Sequence, residues 1–423
     1  MIRPTPFWRS VAVLGVAGLV LTACGGDDET TTKPKDSGTS PAAGAKGDGT
    51  LKIGTLLPQT GSLAFLGPPE FAGVDLALKD INDAGGVLDT QVEKVDSDSG
   101  DTSTDTASQS VDRLLSNNVD AIIGAASSSV SLSVIDKITG NGVVQISPAN
   151  TSDEFTNYDD KGLYFRTAPP DVLQGRVLGD LILADGNATV GIMALQDSYG
   201  TGLADNATKS IEAGGGQVVE TVVYDPKAAS FSTEVGKIKA ADPEAIAVIA
   251  FDETKKIIPE LVKQGIGPDT KKVYFVDGNL ANYDKDFPQG TLEGVKGTLP
   301  GVVADDSFRE RLKEVDPDLD EFAYAAESYD ATILVALAAQ AAGDDSGESI
   351  ASELVNVSTG GEKCTSFADC KTMLEDGSDI DYDGVSGPVE FNDAGDPSEA
   401  SVGIYEYGAD NRYTFLEAKE GSI

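Results

Sequence analysis

The densest chemistry in the chain lies in two hydroxyl-bearing loops within residues 119–152. Ser127, Ser128 and Ser129 follow the apolar run 121–124, and Asn150, Thr151 and Ser152 follow the run 143–147. Between them Val130, Val134, Ile135 and Ile138 recur at helical spacing, so the stretch reads as strand, helix, strand. A right-handed crossover makes the strands parallel, and both loops then share one edge of a sheet, with Ser128 and Thr151 facing one crevice. Hydroxyls and the free N–H groups of a helix start suit an anion such as a ligand carboxylate, and the carboxyl ends of parallel strands are where open sheets bind ligands.

Most catalytic chemistry is excluded. The chain has no histidine, which removes His-based triads, HExxH zinc sites and the commonest general base. Gly140-Asn141-Gly142 lacks the third glycine of a dinucleotide fingerprint, and Gly384-Val385-Ser386-Gly387 falls short of GxSxG. Asp379, Asp381, Asp383, Gly384 and Glu390 do satisfy the calcium-loop pattern at every defined position. That loop needs an exit helix, whereas Gly387-Pro388 and the Val389/Phe391 alternation spell a turn into a strand, so no metal is assigned. With 70 acidic against 31 basic residues and a net charge of −39, the chain repels nucleic acid and anionic lipid. No cofactor and no nucleic-acid partner are expected.

The elements that must position these loops begin after a processed terminus. Arg3 and Arg9 precede an apolar run of about 11 residues, a secretory h-region too short to span a bilayer. Leu21-Thr22-Ala23-Cys24 resembles a bacterial lipoprotein cleavage box, so residues 1–23 are expected to be removed, with Cys24 lipidated and the protein anchored to the cell membrane outside the cytoplasm. Residues 24–50 hold almost nothing apolar and read as a disordered tether with a mean reach of roughly 28 Å. Cys364 and Cys370 are an even pair in an exported chain and are expected to form one disulfide, worth about 2 kcal/mol for so short a loop.

From residue 51 strands and helices alternate, which predicts parallel sheets covered on both faces. The length suits two lobes and hence a cleft. A second series of strands, at 189–197, 217–224, 245–252 and 272–277, delivers Tyr199, the stretch Phe251, Asp252, Glu253, and Asp277 near its carboxyl ends as an opposing wall.

The order IGTLLPQTGSLAFLG, AGVDLALKDINDAGG, IIGAASSSVS, ISPANTSDEFT and YFRTAP resembles the type I periplasmic binding proteins, specifically the leucine/isoleucine/valine-binding family of ABC-transporter receptors. The resemblance covers nearly all of the chain from Leu51. It implies an α/β fold of two Rossmann-like lobes with parallel sheets, lobe 1 being 51–168 plus 300–388 and lobe 2 being 169–299 plus 389–423. Three hinge strands join them, at 165–170, 298–301 and 380–391.

By the same resemblance Ser128, the backbone at Ala149, and Thr151 take the ligand carboxylate. Asp277 stands at the acidic position that a ligand ammonium needs, with Asp252 and Glu253 in reserve, and Tyr199 packs on the ligand. Phe251 and Tyr329 complete the walls, and Leu66 stands where the family carries an aromatic, Phe65 being displaced by one. Plainer roles are a helix cap for Ser128, a turn for Asp277-Gly278 and core packing for Tyr199, and the triple serine leaves the register open by one residue. The implied protein is a non-enzymatic monomer that closes around a small aliphatic amino acid and delivers it to an ABC permease. A second reading keeps the fold and changes the ligand to an amide, urea or other small polar compound. An exported hydrolase is disfavoured by the missing histidine.

Overall fold

The structure, a computed structural model, describes residues 46–301 and 303–423. The signal segment, Cys24 and the tether as far as residue 45 lie outside the described residues. Of the tether's last residues, Gly49 donates its N–H to the Asp345 carboxylate at 3.1 and 3.0 Å. Among the described residues no helix is long and apolar enough to cross a membrane.

Two sheets organise the chain. The first contains β1 (Lys52–Leu57), β2 (Glu93–Asp98), β3 (Ala121–Gly124), β4 (Val144–Ser147) and β5 (Tyr164–Arg166), all parallel in the order β2-β1-β3-β4-β5. The helices α1 (Gly67–Asp83), α2 (Thr106–Ser116) and α3 (Ser128–Thr139) connect its first four strands. After β5 the chain enters α4 (Asp171–Ala184) and builds the second sheet from β6 (Thr189–Leu195), α5 (Ser198–Ala213), β7 (Gln217–Tyr224), α6 (Ser232–Ala241), β8 (Ala245–Ile249), α7 (Thr254–Lys263), β9 (Lys272–Phe275) and β10 (Lys296–Pro300). Every residue of β8, AIAVI, is buried, as a central strand covered on both faces requires.

The chain then passes through α8 (Asp306–Val315), α9 (Ala325–Ala342), α10 (Gly347–Leu354), β11 (Glu362–Cys364), α11 (Phe367–Glu375), β12 (Ile380–Gly384) and β13 (Gly387–Pro388). It closes with an antiparallel hairpin, β14 (Glu399–Tyr407) and β15 (Tyr413–Ser422), on the edge of the second sheet, whose order is β15-β14-β10-β9-β8-β6-β7. α9 has no separate polar face and is buried from Ala325 to Ala339, the pattern of a helix enclosed in a core. It lies so close to α1 that a Cβ on Gly73 would come within 2.2 Å of the Ala325 carbonyl oxygen. This is an α/β fold with two Rossmann-like lobes.

Cys364 and Cys370 are joined in a disulfide at the start of α11. The calcium-pattern segment forms β12 and β13. Its Asp381, Asp383 and Glu390 converge on the Lys363 ammonium at 3.0, 2.8 and 3.5 Å, so a side-chain cation occupies their centre.

Candidate ligand-binding site

Because β3 and β4 are parallel neighbours, the loops that follow them emerge side by side, and the three serines divide the work there. Ser127 is the N-cap of α3, accepting from Val130 N–H at 3.4 Å. Ser128, the first helical residue, accepts at Oγ from the N–H groups of Thr151 and Ser152, each at 3.3 Å, which leaves its own proton free to donate. Ser129 reaches out of the lobe altogether, to Asp197 at 3.1 Å and Ser198 at 2.9 Å, both in the second lobe.

The second lobe contributes a carboxylate held from three sides. Asp277 follows β9; its Oδ1 accepts from the Tyr199 hydroxyl at 2.7 Å and Gln174 Nε2 at 2.8 Å, and its Oδ2 from the Tyr324 hydroxyl at 2.8 Å. Burial pushes the Asp277 carboxyl above its usual range, and those three donors pull it back. The Tyr199 ring stacks on Phe251 at 5.4 Å with planes 10° apart.

These groups close around one small cavity of about 10 Å3, lined from the first lobe by Leu63, Leu66, Ser128 and Ala149 and from the second by Tyr199, Phe251 and Asp277, with Tyr324 completing it. That is room for about one water molecule, so the two lobes are packed together at the site. Leu63, Leu66, Ala126 and Ala149 pack into the same apolar cluster as Tyr199 and Phe251, so the lobes meet across the cleft.

Two assigned residues stand elsewhere. Thr151 sits behind the lining, fully buried, with a hydroxyl that has no hydrogen-bond partner. Tyr329 is not at the site: its hydroxyl donates to Asp80 at 2.6 Å and its ring packs edge-on against Phe308. α9 begins at Ala325, and five residues along a helix turn a side chain well away from its starting face. Tyr324 takes the place instead, just before the helix, at a φ of 61° that bulky residues rarely adopt. The reserves Asp252 and Glu253 face other partners: Asp252 pairs with Lys255 at 2.8 Å, and Glu253 accepts from the Tyr224 hydroxyl at 3.1 Å.

Three residues at the site escape the strand-end rule. Tyr324 is one, and Gln174, which also donates to Thr298 at 3.2 Å, is another. The third is Asp171 in the first turn of α4, whose N–H donates to the Thr151 carbonyl at 2.6 Å while both carboxylate oxygens are buried without a partner. Burial, and then the nearby Asp277, push the Asp171 carboxyl well above its usual range. The signal that could have found Asp171 and Gln174 is their position at the start of the helix that leaves the Pro169-Pro170 crossing. The site thus has a neutral, hydroxyl-bearing end in the first lobe and an acidic end at Asp277, with Asp171 buried behind the lining.

Comparison with known proteins follows the same lines. The periplasmic binding protein family profile matches residues 50–396. The chain is 27% identical over 379 residues to the Leu/Ile/Val-binding protein homolog 1 of Brucella abortus, covering 86% of this chain and 93% of that one. Among solved structures it is similar to the branched-chain amino acid transporter substrate-binding protein LivJ of Streptococcus pneumoniae in complex with isoleucine, with a TM-score of 0.72 at 22% identity over 88% of this chain and 100% of that one. It is also similar to an ABC-transporter solute-binding protein of R. palustris in complex with 4-hydroxybenzoate, with a TM-score of 0.74 at 17% identity over 88% and 98% of the two chains.

Proposed function

The chain belongs to the periplasmic binding protein family, and from that premise we propose that it is the extracytoplasmic receptor of an ABC importer, binding a small aliphatic amino acid between its lobes and handing it to a membrane permease. The observation that carries this reading is the pairing of the Asp277 carboxylate with the uncharged Ser128 hydroxyl around one small cavity where the two lobes meet. A zwitterion matches both ends. Its carboxylate takes the Ser128 proton and the backbone at Ala149. Its ammonium takes Asp277, whose buried carboxylate the arriving positive charge stabilises, with Asp171 behind it.

Leu63, Leu66, Tyr199 and Phe251 present apolar surface to a side chain without further charge. Because the two ends belong to different lobes, the ligand gains its full contacts only when the lobes are together, and that difference drives closure. The protein performs no chemistry on its ligand. It is proposed to act as a monomer, lipid-anchored through Cys24, with the acidic surface keeping it off anionic lipid.

Mass spectrometry of the small molecule released when the purified protein is denatured tests the reading. An aliphatic amino acid supports it. An amide, a urea or an aromatic acid would retain the receptor and replace the ligand.

A further inference from the structure

A second cavity, of about 170 Å3, also has Tyr324 in its wall. One wall comes from α8 and the segment leading into α9, the other from β10, β14 and β15, so the two lobes face each other across it.

Among the described residues, half-buried Arg309 is the cation there without an ion-pair partner. Its Nε is buried with no hydrogen bond, and among the described residues no carboxylate lies within 4.0 Å of its guanidinium, in a chain of 70 acidic and 31 basic residues. The other cation of the cavity is committed: Arg412 pairs with Asp284 at 3.3 Å and Asp320 at 3.8 Å. Glu321 is committed too, accepting from Asn282 N–H and the Tyr413 hydroxyl, each at 2.7 Å. Burial pushes the Glu327 carboxyl up to about 8, so it enters the cavity as a neutral acid near pH 7.

Aromatic rings flank the guanidinium in a cavity whose surface is otherwise mostly polar. Phe322 lies 5.1 Å from it, and the Tyr405 and Tyr413 rings meet edge-on at 5.4 Å, both close enough to feel its charge. A guanidinium presents a planar fork that matches a carboxylate with two parallel hydrogen bonds. One free cation beside Asp320 and Glu321 favours a single negative charge over a dianion such as phosphate.

We infer that this cavity is a second binding site, taking a small monocarboxylate with an apolar or aromatic body on Arg309. An occupant touches both lobes and braces the separation at which they stand. The inference does not depend on what the cleft binds.

Benzoate is the probe. Calorimetric titration into the purified protein should give saturable binding that is roughly tenfold or more weaker in Arg309→Gln and unchanged in Ser128→Ala, with the melting temperature of Arg309→Gln matching wild type. A crystal of the wild-type protein soaked with benzoate reads the same question without a variant and should show the carboxylate on Arg309. Absence of saturable binding, binding lost in Ser128→Ala but kept in Arg309→Gln, or density only in the cleft would each overturn the inference.

Discussion

The Ser129 hydroxyl of the first lobe donates to the Asp197 carboxylate of the second across the cleft, at 3.1 Å. The Ser198 N–H donates back to the same Ser129 oxygen at 3.2 Å, so one small side chain carries the polar contact between α3 and the start of α5. Ser129→Ala removes these bonds and touches none of the proposed ligand contacts. Losing about 1 to 2 kcal/mol from the closed form should weaken ligand affinity roughly five- to thirtyfold, mostly through faster release. Stopped-flow dissociation measures it; an unchanged release rate would mean the contact contributes nothing to closure.

Stability should fall as pH rises from about 4 to about 8. Burial raises the carboxyls of Asp197 and Asp330 to about 6, Asp120 to about 7 and Glu327 to about 8, and those of Asp171 and Glu70 well above their usual range. A carboxyl whose native pKa is raised binds its proton more tightly when folded. Its stabilisation is therefore present below the unfolded value of about 4 and lost as pH passes the native value. Acids shifted the other way act only at lower pH, as with Asp344, which hydrogen bonds from Ser346 hold down to about 2. Thermal melts should give a higher midpoint at about pH 5 than at about pH 8, and the reverse order would contradict the burial argument.

Arg166 and Asp396 form an ion pair at 2.6 Å with side chains 0% and 1% exposed. Arg166 also donates to the carbonyls of Asn150 and Ser152 at 3.3 and 2.7 Å, fixing the loop that carries Thr151. Asp396→Ala strands a buried guanidinium and should cost about 3 to 5 kcal/mol, read as a shift in denaturant midpoint. A loss below about 1 kcal/mol would mean that water or the two carbonyls satisfy the guanidinium alone.

Much of the site is legible because it obeys one rule. Ser128, Ala149, Tyr199, Phe251 and Asp277 each follow a strand of a parallel sheet, and all five line the cavity. What strand order cannot convey is tertiary. Asp171 and Gln174 reach the site from a helix, and Tyr324 from the residue before one. Choosing between Tyr324 and Tyr329 depends on where α9 starts, which an apolar run with no polar face does not reveal. Nor does composition distinguish three adjacent serines; the register of α3 decides that Ser127 caps, Ser128 braces the next loop and Ser129 crosses the cleft.

Cys24→Ala should leave the lobes folded and competent to bind while abolishing membrane association, because the proposed anchor is the cysteine alone. Membrane fractionation with mass analysis of the mature terminus checks this; a mutant still held at the membrane by a lipid would remove Cys24 from the account.

The central claim is that an amino acid's ammonium is held by Asp277 while its carboxylate rests on the Ser128 hydroxyl and the loop backbone opposite. Asp277→Asn preserves size and removes the charge. The direct measurement is calorimetric titration of wild type and Asp277→Asn with leucine, isoleucine and valine, together with any ligand recovered from the purified protein. The account predicts saturable binding of an aliphatic amino acid by wild type, weakened roughly tenfold to more than a hundredfold in the variant, as expected for a charge-assisted hydrogen bond. Equal affinities would move the ammonium to Asp171, and a wild type that binds no aliphatic amino acid would contradict the claim itself.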